Sequence, residues 1–261
     1  TAVEAAQKRL EPFSSRFIPI NSSYGDFSTW SAALPDKPVM GFLLDLGLSS
    51  VQLDLPGRGF SYHDDNSLDM RFDQTGDLPS AADLVNNLPE KELADLIYEY
   101  GEERASRRIA RAIVRRRQEL PFNSASDLAK VISSSYNTRN LQIHPATRTF
   151  QALRIAVNSE LKILLQGLDA AEKVLQHNGY LVTISFHSLE DRIIKRFLKD
   201  RSGACKCPPG LPVCICNSEA SFKTATRKPV APTPEEIQNN PRSRSAKLRC
   251  ARRVRYQGDK S

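Results

Sequence analysis

The residues best suited to chemistry lie at the end of an apolar run in the first fifty residues and just after it. The run PVMGFLLDLG (38–47) contains Asp45, and Ser49 and Ser50 come shortly after it. A continuous apolar run of this length is typical of a parallel-sheet strand that is buried on both faces. Ligands of open α/β sheets bind at the carboxyl ends of such strands, where a carboxylate can accept hydrogen bonds from a ribose or an amine. A helix cap or an ordinary loop position is the alternative for Asp45.

The segment RGFSYHDDNSLDMRFD (58–73) combines charged and aromatic residues. Arg58 and Arg71 could hold phosphates, whereas Phe60 or Tyr62 could stack on a base. The segment keeps enough apolar side chains that we expect it to be packed rather than disordered. A packed loop with surface charges and no binding role is the alternative.

Basic residues concentrate in two parts of the chain. Seven arginines crowd residues 104–117, where Arg108 and Arg111 could contact a nucleic-acid backbone or pair with nearby glutamates. Residues 201–261 have a net charge of +9, whereas residues 1–200 have −2. This basic tail, with Arg242 and Arg244, favours a polyanionic partner, and a solvated tail is the alternative.

Cysteines and histidines give weaker signals. Two Cys-x-Cys pairs flank a Pro-Gly turn and could bind a structural zinc ion, with a hairpin of reduced or disulfide-linked thiols as the alternative. His144 and His187 could accept protons or anchor hydrogen bonds, although a lone histidine is more often structural. The four clustered cysteines are Cys205, Cys207, Cys214 and Cys216.

An α/β scaffold must position these residues. The patterns predict a helix over 1–10, short strands at 16–21 and 180–186, and one long helix over 147–176. Together with strand 38–47 they indicate a doubly wound α/β sheet. No apolar run is long enough for a membrane-spanning helix. The predicted domains are a first part (1–79), a helical insertion (80–140), a second part (141–200) and a basic, irregular extension rich in Cys and Pro (201–261).

The longer motifs resemble one enzyme family. LLDLGLSSVQLDLPGRGFSY, YGEERASRRIARAIV, HPATRTFQALRIAVNSEL, ISFHSLEDRIIKRF and NPRSRSAKLRCARR occur in the family's order. They are similar to the bacterial 16S ribosomal RNA cytosine-N4 methyltransferases. This resemblance implies a Rossmann-like domain that binds S-adenosylmethionine (AdoMet), with a helical insertion for substrate recognition. It also implies methylation of the exocyclic amine of a cytidine in the decoding region.

The resemblance assigns roles to individual positions. It implies that Phe27, Asp45 and Gln52 bind AdoMet. We expect Asp45 or the backbone region of Ser49–Ser50 to accept a hydrogen bond from the amine. The family's glycine-rich loop and ribose-binding acid have no counterpart here, so we expect the first strands to lie upstream of Thr1. The implied partner is 16S ribosomal RNA or the small subunit in the cytoplasm, with no membrane contact; a homodimer is left open.

Two other functions are compatible with the sequence. A catalytically inactive RNA-binding or ribosome-assembly protein would also lack the AdoMet glycine loop. A methyltransferase that acts on DNA or protein is the second alternative. Activity on naked DNA, free small-subunit RNA and assembled subunits separates the three.

Overall fold

The computed structural model describes residues 2–136, 143–204, 207 and 219–254. The chain divides into two compact units, Thr1–Gly47 with Leu161–Ser261, and Leu48–Glu160. The second unit is wider than the predicted insertion at 80–140. Phe60 and Met70 from the preceding segment and Phe150 from the following helix share one hydrophobic core with the insertion helices, and this shared core sets the wider boundary.

The secondary structure of the described residues consists mainly of helices, with a run of seven helices between the first two strands. The helices are α1 (Ala2–Arg9), α2 (Phe27–Ser31), α3 (Ser50–Asp54), α4 (Ala81–Asn87), α5 (Glu90–Gly101), α6 (Ser106–Arg117), α7 (Ala125–Ser134), α8 (Thr147–Asn158), α9 (Glu160–Val174), α10 (Ser188–Asp200) and α11 (Pro234–Asn239). The strands are β1 (Val39–Asp45), β2 (Leu175–Ser185), β3 (Phe222–Thr224) and β4 (Lys247–Arg253). Short 3-10 helices cover Glu11–Arg16 and Pro241–Ser245. Nowhere in these ranges is a helix long and apolar enough to cross a membrane.

The first unit is built on a mixed four-stranded sheet in the order β1-β2-β4-β3. β1 and β2 are parallel, whereas β4 runs antiparallel to both β2 and β3. Leu44, Leu181 and Ala251 from three adjacent strands pack in one core with Leu168 of α9 and Phe197 of α10. The predicted α/β class is therefore confirmed, and the predicted strand at 16–21 is wrong because no strand forms there.

β1 differs from the prediction of a strand buried on both faces. Leu44 is buried, but Met40 and Leu43 are 50% and 63% exposed. Only one edge of β1 pairs with another strand in the part of the chain that the structure describes, and that strand is β2. Hydrophobic composition predicted the strand correctly, but burial depends on neighbours that composition does not specify.

Up to Val254, the described part of the C-terminal region packs onto the first unit and is not a detached tail. The sequence predicted an irregular extension, yet residues 247–253 form β4 inside the sheet, and Val230 pairs with Leu248 in an additional bridge. Glu172 of α9 holds this region in place, because its carboxylate accepts hydrogen bonds from Ser221 at 2.6 Å and from Arg201. Arg253 is 2% exposed, and its guanidinium lies over the Phe222 ring. The sequence did not indicate this strand, because basic residues outnumber apolar ones within it.

The second unit is helical and buries one continuous core. Leu93 and Ile97 of α5 pack with Ile109 and Ile113 of α6, and α7 and α8 complete the core. The single helix predicted over 147–176 is divided into α8 and α9 at Ser159, whose φ of 51° is left-handed. Apolar periodicity alone did not show this break, because the three- and four-residue spacing continues through it.

Candidate active site

Asp45 is the last residue of β1 and lies at its carboxyl end. From Gly41 the strand keeps its register up to this point, with Asp45 opposite Ile184 and the Leu46 amide donating to the Ile184 carbonyl at 3.0 Å. The Asp45 side chain is exposed. Gly47 follows with a φ of 91°, a left-handed conformation that favours glycine and turns the chain out of the strand. The result is a solvent-accessible carboxylate at the strand end, where α/β proteins bind ligands.

Phe27 begins α2 in the same unit and belongs to an aromatic cluster. The helix starts there because the Asp26 side chain accepts a hydrogen bond from the Thr29 amide. The Phe27 ring meets Trp30 edge to face with centroids 5.1 Å apart, and the Lys173 ammonium lies 5.4 Å from its centre. Phe27 is half-buried, so part of its ring remains open to a ligand.

Ser49, Ser50 and Gln52 belong to the second unit, at the start of α3. Ser49 and Gln52 form a capping box, in which the Ser49 hydroxyl accepts from the Gln52 amide at 3.2 Å and Gln52 Oε1 accepts from the Ser49 amide. The hydroxyl of Ser49 also donates to Gln52 Oε1. The Ser49 hydroxyl therefore makes its hydrogen bonds within the helix cap, whereas the exposed Ser50 is not part of the cap.

The structure corrects the predicted phosphate ligands Arg58 and Arg71. Arg58 Nη2 donates to the carbonyl oxygens of Arg71 and Phe72 at 2.7 and 3.0 Å. The Arg71 guanidinium forms a two-point pair with Asp69 and also donates to the Gly76 carbonyl. Because these donors are used inside the protein, both arginines hold the segment in shape instead of presenting their charge to phosphate.

The prediction for Phe60 is also wrong. Its side chain is 6% exposed and stacks on Phe72 within the hydrophobic core, so it offers no surface to a base. The segment is packed, as predicted, and Asp64 is the residue that organises it. Its carboxylate accepts from the Gly57 and Gly59 amides at 2.9 Å each. A Cβ atom at Gly59 would lie 2.5 Å from the Asp69 amide nitrogen, so only glycine fits there.

The arginines of α6 divide into anchored and exposed groups. Arg116 pairs with Asp127 at 2.9 Å, and Arg117 donates to the Val85 carbonyl, so these two fasten the helix to its neighbours. Arg108 and Arg111 are exposed, the first over the Tyr136 ring and the second 3.6 Å from Glu90. Arg115 is exposed as well, and Arg108, Arg111 and Arg115 follow one face of α6 at steps of three and four residues, with the exposed Arg104 just before the helix.

Other predicted residues are distributed over the first unit. Arg242 and Arg244 are exposed in the 3-10 helix Pro241–Ser245, immediately before β4. His187 caps α10, and its Nδ1 accepts from the Glu190 amide at 3.4 Å, which is a structural role. Among the clustered cysteines only Cys207 lies in the described residues; Cys205, Cys214 and Cys216 lie outside them.

Comparison with known proteins identifies the family. The sequence profile of the MraW methylase family matches residues 1–254. The chain belongs to the MraW methylase family. This methylase therefore carries its exposed carboxylate, Asp45, in an α/β unit and its exposed arginine face in a helical unit, and both lie within the matched region.

Individual relatives match the methylase over nearly its whole length. A protein named ribosomal RNA small subunit methyltransferase H from Carboxydothermus hydrogenoformans is 46% identical over 256 residues, covering 98% of this chain and 82% of the relative. Proteins of the same name from Dehalococcoides mccartyi and Thermomicrobium roseum are each 46% identical, over 258 and 257 residues. They cover 99% and 98% of this chain and 73% and 78% of the relatives.

Proposed function

We propose that this methylase uses AdoMet to methylate the exocyclic N4 amine of a cytidine in the decoding region of small-subunit ribosomal RNA. The observation that carries the proposal is the 46% identity, over at least 98% of the chain, to relatives named ribosomal RNA small subunit methyltransferase H. A ribosomal RNA substrate would place the protein in the cytoplasm. The cytidine N4 position comes from the motif resemblance described above.

The residues present fit AdoMet by their chemistry. Phe27 offers a partly exposed ring on which an adenine can stack, and Asp45 offers a carboxylate that can accept hydrogen bonds from hydroxyl or amino groups. Among the described residues no hydrogen bond or ion pair occupies the Asp45 side chain. AdoMet, when bound, supplies an electrophilic methyl group. Gln52 keeps its amide nitrogen for a ligand, because the capping box uses only its oxygen.

The chain's own contribution to the reaction is mainly positional. The amine of cytosine is a poor nucleophile because its lone pair is delocalised into the ring. A hydrogen-bond acceptor at the site holds the amine in the orientation for attack and favours the developing positive charge on nitrogen. We assign this role to Asp45 or to the backbone at Ser49–Ser50. The target base must first leave its stack to reach such a group.

The exposed arginines are the proposed RNA contacts. Arg108 and Arg111 present positive charge from the helical unit, and Arg242 and Arg244 do so from the sheet unit. Charges of this kind bind the phosphate backbone without reading its sequence. A structural zinc ion at the clustered cysteines stays a prediction, which the zinc content of the purified protein would decide.

The decisive experiment is a methyl-transfer assay with substrates lacking the modification. Small subunits, free small-subunit RNA and DNA are incubated with the protein and methyl-labelled AdoMet, and their nucleosides are separated by mass spectrometry. We expect N4-methylcytidine in the ribosomal RNA and no label in DNA. Tight RNA binding without methyl transfer would favour the inactive assembly protein, and label in DNA would contradict the RNA assignment.

A further inference from the structure

A cleft in the helical unit is not accounted for by the catalytic residues. Its volume is about 530 Å³. Part of its lining comes from the segment after α3, part from α7 and part from the residues that precede α8. The lining includes Tyr62, His63, Asp65, Ala129, Lys130 and His144.

Two stacked rings form one part of the lining. The rings of Tyr62 and His144 are nearly parallel, with an angle of 11° and centroids 4.5 Å apart. Tyr62 is fixed from two further sides, because its hydroxyl donates to Thr147 Oγ1 at 3.1 Å and its ring meets Phe150 edge to face. His144 is exposed. The pair is therefore a preorganised aromatic platform that solvent can reach.

The hydrogen bonding of His144 defines what it presents to the cleft. The Ala146 amide donates to its Nδ1 at 3.2 Å, so the proton of the neutral ring lies on Nε2. Partial desolvation by the surrounding residues, together with the nearby His63, lowers the pKa of His144 below the ordinary histidine value. At neutral pH the planar ring is therefore uncharged and offers one N–H donor, at Nε2.

Helix α7 supplies small residues and one cation to the same cleft. Ser126, Ala129 and Ser133 are spaced at three and four residues and face it together, and their small side chains leave room for a planar group. The Ser126 hydroxyl donates to the Asp65 carboxylate, which keeps that acceptor in the cleft. Lys130 is exposed and lines the cleft from the same helix.

We propose that this cleft binds one unstacked nucleotide of an RNA strand, with its base on the His144–Tyr62 platform and its phosphate at Lys130. Single-stranded RNA is recognised in this way in general, by stacking of splayed bases on aromatic rings together with cationic contacts to the backbone. Asp65 and His144 Nε2 add an acceptor and a donor for the edge of the base. The inference rests on the proposed RNA substrate and extends it to a contact outside the methyl-transfer site.

The test is direct binding of a short fluorescently labelled single-stranded RNA to the whole protein. We expect His144→Ala to weaken binding about five-fold or more, since base stacking contributes on that scale. Lys130→Ala should weaken binding and reduce its salt dependence, and His144→Phe should retain most of the affinity because it keeps a ring. His177→Ala and Lys195→Ala are the matched controls, since both residues are exposed in the other unit.

Two further measurements separate the outcomes. Ultraviolet crosslinking should attach the RNA to the peptide that contains Tyr62 or His144, and thermal melts should show that the variants are folded. Wild-type affinity in both His144→Ala and Lys130→Ala would overturn the inference, as would an absence of RNA binding by the wild-type protein. Saturation by a free nucleoside monophosphate without competition by RNA would assign the cleft to a small molecule instead, which also overturns it.

The methyl-transfer assay is read separately from the binding assay. If ribosomal RNA is methylated and His144→Ala leaves RNA binding unchanged, the cleft inference fails and the proposed function stands. If RNA binding depends on His144 and no RNA is methylated, the proposed function fails and the cleft inference stands.

Discussion

Arg249 of β4 binds Asp191 of α10, with its Nε donating to Asp191 Oδ1 at 2.7 Å and its Nη2 to Oδ2 at 3.3 Å. Both side chains are largely buried, at 13% and 15% exposed. The pair joins the last described strand to the helix that follows β2. A residue that sequence alone placed in a nucleic-acid-binding tail is thus part of the structural core of the α/β unit.

The first prediction concerns the stability that this pair provides. Arg249→Ala should lower the free energy of unfolding by about 3 kcal/mol, because it leaves the Asp191 carboxylate buried without its main partner. Urea denaturation measures the loss. Arg252→Ala is the matched control, since Arg252 lies three residues further along β4, on its other face, and should change stability by less than about 1 kcal/mol. Equal losses in the two variants would contradict a specific role for the pair.

The second prediction is the pH dependence of the same contribution. Burial by itself would raise the pKa of Asp191, but the Arg249 guanidinium and Lys247 outweigh it and lower the pKa below its ordinary value. A carboxylate with a lowered folded-state pKa stabilises the fold above the unfolded-state pKa, about 3.9, and loses this contribution as the pH falls through the folded-state value. The stability difference between wild type and Asp191→Asn should therefore be constant at neutral pH and shrink below about pH 4. Unfolding curves at several pH values check this, and a difference that grows in acid would show the opposite linkage.

The third prediction tests Asp45. Asp45→Ala should abolish methyl transfer and leave RNA binding largely intact. Asp45 is assigned to the methyl-transfer site, and the proposed RNA contacts are other residues. Since Asp45 is exposed, the free energy of unfolding should change by no more than about 0.5 kcal/mol. Asp36→Ala is the control, as Asp36 is an exposed aspartate before the other end of β1. Loss of RNA affinity with normal AdoMet binding would refute the assignment.

The fourth prediction uses the single tryptophan of the chain as a reporter. Trp30 packs against Phe27 and Phe42 and donates from its indole nitrogen to the Tyr24 carbonyl. If Phe27 contacts the adenine, AdoMet should change the Trp30 emission, and Phe27→Ala should weaken AdoMet binding about five-fold or more. Phe13→Ala is the control, because Phe13 is 47% exposed. Calorimetric binding with unchanged fluorescence and an unaffected Phe27→Ala variant would remove Phe27 from the cofactor site.

The fifth prediction concerns the exposed arginines of α6. The double variant Arg108→Ala/Arg111→Ala should weaken RNA binding for every sequence and lower the slope of log affinity against log salt by about 1.4, or about 0.7 for each lost phosphate contact. Filter binding over a salt series measures both effects. The double variant Lys195→Ala/Lys199→Ala removes the same charge from exposed positions of α10 and should leave the slope unchanged. Equal effects of the two double variants would point to net charge instead of a defined contact.

RNA binding by the basic segment 242–261 requires a test other than its deletion. Removing residues 242–261 would also remove β4 and with it the Arg249–Asp191 pair, so loss of stability would hide any effect on RNA. Arg242→Ala/Arg244→Ala leaves the strand in place because both arginines precede it. Its salt slope can be compared directly with that of the α6 variant.

Local sequence determined most of the secondary structure and the position of the principal carboxylate. The apolar run before Asp45 predicted β1, and α4 and α7 begin just after serines, Ser80 and Ser124, whose side chains cap the helices. Such signals are local, because the hydrophobic pattern along a strand and the hydrogen bonds of a helix cap involve residues close together in the chain.

Only the tertiary structure decided which charged and aromatic residues face solvent. Arg58, Arg71 and Arg249 have the same chemistry as Arg108 and Arg111. Arg58 and Arg249, however, donate to carbonyl and carboxylate oxygens from other parts of the chain, and Arg71 pairs with the nearby Asp69. Phe60 and Tyr62 are two residues apart, yet long-range packing buries Phe60 in the core and places Tyr62 in the lining of a cleft. The net charge of a segment gives only the excess of basic over acidic residues. Whether a basic side chain is paired inside the protein or exposed to solvent depends on the folded structure.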